Sequence, residues 1–330
     1  MTGLRELTSP VDLCLPDGRL NPAAVGWTRH PLHTANLRGR GRLKRWEYWA
    51  VMSADAVFAV TVSDLDYAAL HAVYLLDATG EETVHTALVP LARVGLDQRP
   101  RPAATRVRAK GLAIDLDHDD SGAWLTATAP GLSAQFRVTR PPGHESLGVV
   151  VPWDDRRFQY TVKENTLPAV GQVRLGDRLV EFAEGSWATL DHGRGRWPYR
   201  IRWNWGAGSG EVDGRIVGVQ VGGSWTDGTG STENAVCVDG RISYVPEDLR
   251  WEYDRDDWSA PWRITAPDSG RVDLTFTPFH VRTDRMNLGV LANDTHQAFG
   301  TWSGVMIDDN GAPIRCDGVR GWAEEVVNRW

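Results

Sequence analysis

From Trp46 onward the chain is a succession of short apolar runs separated by turn residues. WEYWAVMS, AVFAVTVSDLDYA and HAVYLLD are rich in Val, Tyr, Trp and Phe and read as strands. Asp77-Ala-Thr-Gly80 predicts a hairpin turn before ETVHTALV. RPRPAATR interrupts the pattern. LAIDLDHDDSGAWLTATAPG resumes it as a hairpin turning in its acidic cluster, and AQFRVTR and ESLGVVVPW complete a first block near residue 155. The second block repeats the texture with FQYTVKEN, GQVRLGDRLVEF, EVDGRIVGVQVGG, AVCVDGRISYV, RVDLTFTPFHV and GTWSGVMIDDNGAPIRC. Asp213-Gly214 and Asp239-Gly240 sit between alternating segments. That is a strong hairpin signal, because a type I′ turn needs positive φ at both central residues. Helix is expected only as short pieces around Asp64–Leu70 and Ala323–Arg329.

Many short strands with Gly and Asp turns, and no alternation with long helices, predict an all-β fold of antiparallel barrels or sandwiches. Residues 1–45, broken by Pro16, Pro22 and Pro31, read as an extended arm laid over a barrel or sheet edge. The expected division is residues 1–155, arm plus first lobe, and residues 156–330, second lobe.

Composition changes this picture little. A net charge of -7 over 330 residues argues against a nucleic-acid partner. Only Lys44, Lys110 and Lys163 are lysines among 36 basic residues. Cys14, Cys237 and Cys316 are far apart and show no Cys/His metal spacing, which fits a reducing compartment and no metal site. No signal-like or membrane-length apolar run occurs, so a cytoplasmic protein with no integral membrane segment is expected. Oligomeric state is left open.

Candidate chemistry concentrates in Ala188–Gly206, ATLDHGRGRWPYRIRWNWG. Tyr199, Ile201, Trp203 and Trp205 alternate with Arg200, Arg202 and Asn204, so in a strand the aromatic groups share one face. Asp191, His192 and Arg194 lie in the approach to that strand. A carboxylate tuned by a neighbouring imidazole or guanidinium and faced by indoles can act as general acid or base. Indole faces can stabilise positive charge developing on a substrate. The structural alternative is an Asp–Arg pair tying a loop to a sheet over packed tryptophans. SWTDGTGSTENAV, with Trp225, Glu233 and Asn234, could face this run across a barrel mouth. Trp251, Trp258 and Trp262 could form a ligand rim or pack a long loop, and His280 and His296 are further acid/base candidates.

Several motifs fail. Asp115, Asp117 and Asp119 begin like an EF-hand, but Asp120 and Thr126 replace its glycine and final glutamate. Gly206-Ala-Gly208-Ser-Gly210 lacks dinucleotide spacing, and no GxSxG, Walker A or HExxH motif is present.

LPDGRLNPAAVGWTRHPLHTANL, KRWEYWAV, DHGRGRWPYRIRWNWG and WTDGTGSTENAVCVDGR together resemble the family called domain of unknown function 2804, over nearly the whole chain. Asp191-His192 followed by Trp197 is more distantly similar to the Asp-His-x-Trp region of the carotenoid 1,2-hydratase (hydroxyneurosporene synthase) group. Here four residues rather than one separate His192 from Trp197. The resemblance implies two lipocalin-like, calycin-like β-lobes, a site near Asp191, and hydratase or isomerase chemistry on an apolar molecule.

The resulting expectation is a cofactor-independent enzyme acting on an apolar or amphipathic small molecule. Asp191 would be the acid/base group, His192 or Arg194 its tuning partner, and Trp197, Tyr199, Trp203, Trp205, Trp225, Glu233 and Asn234 the ligand-binding set. The alternatives are a non-catalytic lipid or isoprenoid carrier, and a partner-binding protein that presents an aromatic surface.

Overall fold

The fold is taken from a computed structural model in which residues 4–289 and 291–329 are described. Among them there is no α-helix; the one helical piece is a 3-10 turn at Pro22–Ala24. The arm contributes three short strands, β1 (Val11–Asp12), β2 (Trp27–Thr28) and β3 (His33–Thr34). It then leads into β4 (Leu43–Met52), β5 (Val57–Asp64), β6 (Ala68–Leu76) and β7 (Glu82–Pro90). Next come β8 (Ala103–Ala109), β9 (Leu112–Asp119), β10 (Gly122–Ala129), β11 (Leu132–Thr139) and β12 (Leu147–Pro152). Two long strands follow, β13 (Phe158–Leu175) and β14 (Arg178–Arg196). These form one sheet in the order β7-β6-β5-β4-β14-β13-β11-β10-β9-β8, with β12 beside β13 and β2 beside β12.

The second sheet contains β15 (Arg200–Val212), β16 (Arg215–Gly223), β17 (Ala235–Val238), β18 (Arg241–Tyr244) and β19 (Arg250–Glu252). It continues with β20 (Trp262–Thr265), β21 (Val272–Asn287), β22 (Ala292–Ile307), β23 (Pro313–Arg315) and β24 (Val319–Arg329). Its order is β18-β17-β16-β15-β24-β22-β21-β20-β19, with β23 on β22. One sheet is a nearly closed barrel and the other a half-barrel, giving two lipocalin-like lobes.

The expected hairpins form. Asp213 and Gly214 have φ of 51° and 74°, and Asp239 and Gly240 have 50° and 79°, as a type I′ turn requires. The strict alternation of β9, β10 and β11 sends Leu112, Ile114, Leu116, Leu125, Phe136 and Val138 into the barrel core. The arm packs Leu13, Leu20, Ala24 and Ala35 against Val150, Phe158, Tyr160 and Val162.

The two helical expectations are overturned. Asp64 ends β5, Asp66 turns with φ of 75°, and Ala68 begins β6. Ala323–Arg329 lies in β24, hydrogen-bonded to β15 on one side and β22 on the other. The helix-forming Ala-Glu-Glu sequence yields there to two flanking strands. The first sheet also runs on to Arg196, so the change of sheet falls at residues 197–199 rather than at 155. Asp191, His192 and Arg194 accordingly sit inside β14 of the first sheet, not in a loop approaching the second.

Candidate functional site

Most strands here alternate buried and exposed side chains, but the Phe158–Leu167 part of β13 and the Ala188–Gly195 part of β14 are buried on both faces. The barrel interior takes one face and the second lobe covers the other. Adjacent residues on β14 therefore enter different surroundings.

Asp191 takes the face toward the second lobe. Cross-strand register places it between Tyr48 of β4 and Lys163 of β13. The Lys163 ammonium lies 3.1 Å from Asp191 Oδ1 and 3.2 Å from Glu233 Oε2, bridging the two carboxyl groups. Thr161 Oγ1 donates to Asp191 Oδ1 at 3.0 Å and Trp46 Nε1 to Oδ2 at 2.9 Å. Trp225 Nε1 donates to Glu233 Oε1 at 2.8 Å. The ammonium also lies 4.0 Å from the Trp205 ring centroid. Burial opposes charge on Lys163, yet the two carboxylates win and raise its pKa. Burial raises Glu233, with Lys163 acting in the opposite direction.

These groups line a cavity of about 230 Å³ between the sheets. Its wall is aromatic. Trp197 stacks on Trp225 at 5.9 Å, meets Trp46 edge-on at 5.3 Å and touches Trp203 at 5.8 Å. Tyr48 and Trp205 meet edge-on at 5.7 Å. The far wall carries a third carboxyl group. Glu324, on β24, accepts hydrogen bonds from Trp203 Nε1 at 3.0 Å and Gln297 Nε2 at 2.9 Å. Burial, reinforced by the negative charge of Asp191, pushes its pKa up to about 7. Burial likewise raises the Tyr48 phenol, keeping it a protonated donor.

Of the expected site residues, the cavity gathers Asp191, Trp197, Trp203, Trp205, Trp225 and Glu233. Two expected tuning partners are elsewhere. His192 and Arg194 point into the barrel, because residues one and three positions along a strand from Asp191 take the opposite face. His192 has no exposure, and burial with nearby Arg194 holds its pKa well below 6.5, so it is neutral. Arg194 donates to the backbone oxygens of Asp97, Trp46 and Gly193 and serves as a structural tie. Lys163 takes the place assigned to them. Tyr199 lies outside the cavity under the Arg42 guanidinium. Asn234 also lies outside, exchanging hydrogen bonds with the Gly222 amide and the Glu247 carbonyl. Trp251, Trp258 and Trp262 pack with Tyr253 on the second core instead of forming a rim.

The sequence reading missed Lys163, Glu324, Trp46 and Tyr48. Two signals were present. Lys163 is one of three lysines and stands in the strand-like run FQYTVKEN. Read as strand, Glu324-Glu325 sends its two carboxylates to opposite faces: Glu324 to the cavity, and Glu325 to Arg202, Tyr253 and Arg255.

Gly193 shows how tightly the site is built. A Cβ there would lie 2.1 Å from the Trp46 indole. Gly193→Ala is expected to displace that ring, lose its hydrogen bond to Asp191 and destabilise the fold by about 1–3 kcal/mol. Urea unfolding followed by tryptophan fluorescence measures both effects. A variant with wild-type midpoint and emission would contradict the packing described.

Among the described residues no group of three or more His, Cys, Asp or Glu is placed to hold a metal ion. No helix among them is long and apolar enough to cross a membrane.

The chain is similar in fold to the crystal structure of a candidate AttH protein from Nitrosomonas europaea. That match has a TM-score of 0.50 and 15% identity, and covers 86% of this chain and 92% of the other. A match to kievitone hydratase from Nectria haematococca has a TM-score of 0.45 and 9% identity, and covers 87% and 88% of the two chains. Comparison with curated protein sequences gives no match. A family model described as "Domain of unknown function (DUF2804)" matches residues 4–330, so the two lobes and the cavity between them all lie within it, and the chain belongs to that family.

Proposed function

We propose that the protein is a cofactor-independent enzyme that adds water to, or moves, a carbon–carbon double bond in an apolar small molecule held between the lobes. The observation that carries this reading is Glu324. A carboxyl group with a pKa of about 7 can deliver or accept a proton at neutral pH. It shares a cavity with a second carboxyl group, Asp191, that is ion-paired and hydrogen-bonded by three donors. Glu324 protonates the double bond, and Asp191, fixed by Lys163, Thr161 and Trp46, orients and deprotonates the incoming water. Positive charge developing on carbon is met by the faces of Trp205 and Trp203 and by the net negative charge of the Asp191–Lys163–Glu233 group.

The test starts from the molecule that copurifies with the protein from its own source. Glu324→Gln and Asp191→Asn should each bind it and lower its turnover by at least about 100-fold. Binding with no turnover by the wild type would identify a carrier instead. Full turnover by both variants would remove the acid/base assignment.

A further inference from the structure

The cavity is a slot with two ends, and both sheets build it in the same order. At one end Tyr48 of β4, the register partner of Asp191, meets the ring of Trp205, the register partner of Glu324. Two residues along each strand, Trp46 and Trp203 both pack on Trp197, at 5.3 Å and 5.8 Å. Leu70 lines the slot with them, so its middle is apolar. Two residues further on, at the other end, stand Lys44 on β4 and Asn328 on β24, the latter opposite Ile201 of β15. Four residues of strand separate each from the carboxyl end, about 13 Å. Lys44 is held by the Leu65 carbonyl and the Tyr67 hydroxyl, both at 3.3 Å. Asn328 is different. It is 6% exposed and its Oδ1 has no hydrogen-bond partner among the described residues. A buried acceptor without a donor is costly, and this one lies on the wall of a cavity where a ligand can supply the donor.

We propose that the substrate is an extended alcohol of about ten carbon atoms, whose hydroxyl donates to Asn328 Oδ1 and whose reacting double bond lies at the opposite end of the chain, between Asp191 and Glu324. This deepens the reading of the cavity as a hydration site and rests on it. Two measures of length agree. An extended carbon chain advances about 1.3 Å per bond, so about 13 Å spans about ten bonds. A dry cavity of about 150 Å³ takes the six carbons of benzene, so one of about 230 Å³ takes about nine. The hydroxyl follows from the orphaned atom: an acceptor needs a donor, and a carboxylate, an ether or a hydrocarbon has none. The apolar middle of the chain lies between Trp46, Trp203 and Leu70. The hydroxyl takes no part in the chemistry, and addition of one water at the far double bond gives a diol.

Binding is measured by equilibrium dialysis and gas chromatography with 9-decen-1-ol and with 10-fluoro-1-decene, in which fluorine replaces the hydroxyl. The wild type should bind the alcohol at least about tenfold more tightly, a comparison that needs no variant. Asn328→Leu keeps the size of the side chain and removes the acceptor, and should bind the two compounds alike. Equal affinities in the wild type, or a preference that survives in Asn328→Leu, would overturn the hydroxyl assignment and leave the cavity reading standing. Tighter binding of 9-decenoate than of the alcohol would do the same. 13-Tetradecen-1-ol, four carbons longer, should bind no more tightly than the ten-carbon alcohol, because the slot is already full; a gain in affinity would overturn the length. If none of these compounds binds, the cavity reading falls as well.

Discussion

Lys163→Met should destabilise the protein by about 3–5 kcal/mol at neutral pH, the largest effect expected of any single change at the cavity. The substitution roughly conserves volume, so packing changes little. What changes is charge. Asp191 and Glu233, 7% and 1% exposed, lose the ammonium that lies within 3.2 Å of both and are left facing each other in a dry site. The deficit should shrink as pH falls, because protonation of either carboxylate removes the uncompensated charge. Adding Glu233→Gln should recover part of it at neutral pH. Urea denaturation of the two variants at several pH values reads both trends. A loss below about 1 kcal/mol, constant with pH, would show that the ion pair is not the structural centre of the cavity.

Glu324→Gln should have the opposite consequence for stability and a severe one for activity. In the folded protein Glu324 titrates near 7, well above its ordinary value of 4.5. A carboxyl group whose pKa is raised by folding binds its proton more tightly in the native state. It therefore makes stability fall as pH rises from about 4.5 to about 7, by about 3 kcal/mol in total. The neutral amide carries no such penalty. The variant should match the wild type near pH 4 and exceed it above pH 7, while its turnover is lost. Denaturation midpoints measured across that range test the claim. Parallel pH profiles for the two proteins would contradict the environment assigned to Glu324.

The fold was largely legible in the sequence, because antiparallel strands with one solvated face write themselves as alternation and turn chemistry. β9, β10 and β11, and the Asp-Gly turns at 213 and 239, follow that rule. It fails where a strand is buried on both faces. Lys163, Asp191 and His192 stand in strands covered by barrel core on one side and the second lobe on the other, so polarity there no longer marks solvent. That is why the sequence reads Asp191 as part of the approach to the aromatic strand, with His192 or Arg194 as its tuning partner. Its neighbours in sequence, His192 and Arg194, point into the barrel, and its neighbour in space comes from β13. Glu324 was hidden for a related reason. Ala-Glu-Glu favours helix locally, and only the pairing of β24 between β15 and β22 turns one glutamate toward the cavity. The tryptophans were easier to place, since an indole face needs a wall in either lobe. Trp197, Trp203, Trp205 and Trp225 duly surround the cavity, while Trp251, Trp258 and Trp262 fill core.

The central claim is that the space between the lobes holds an apolar small molecule. It is tested most directly by native mass spectrometry of the protein purified from its own source, beside a variant whose cavity is filled. Leu70 is half-buried on the cavity wall, and Leu70→Trp would occupy the space without touching the carboxylates. The account predicts one bound apolar molecule per wild-type chain and none on Leu70→Trp. A wild type that carries nothing and fails to take up added apolar compounds, or a variant that retains the same molecule, would contradict it.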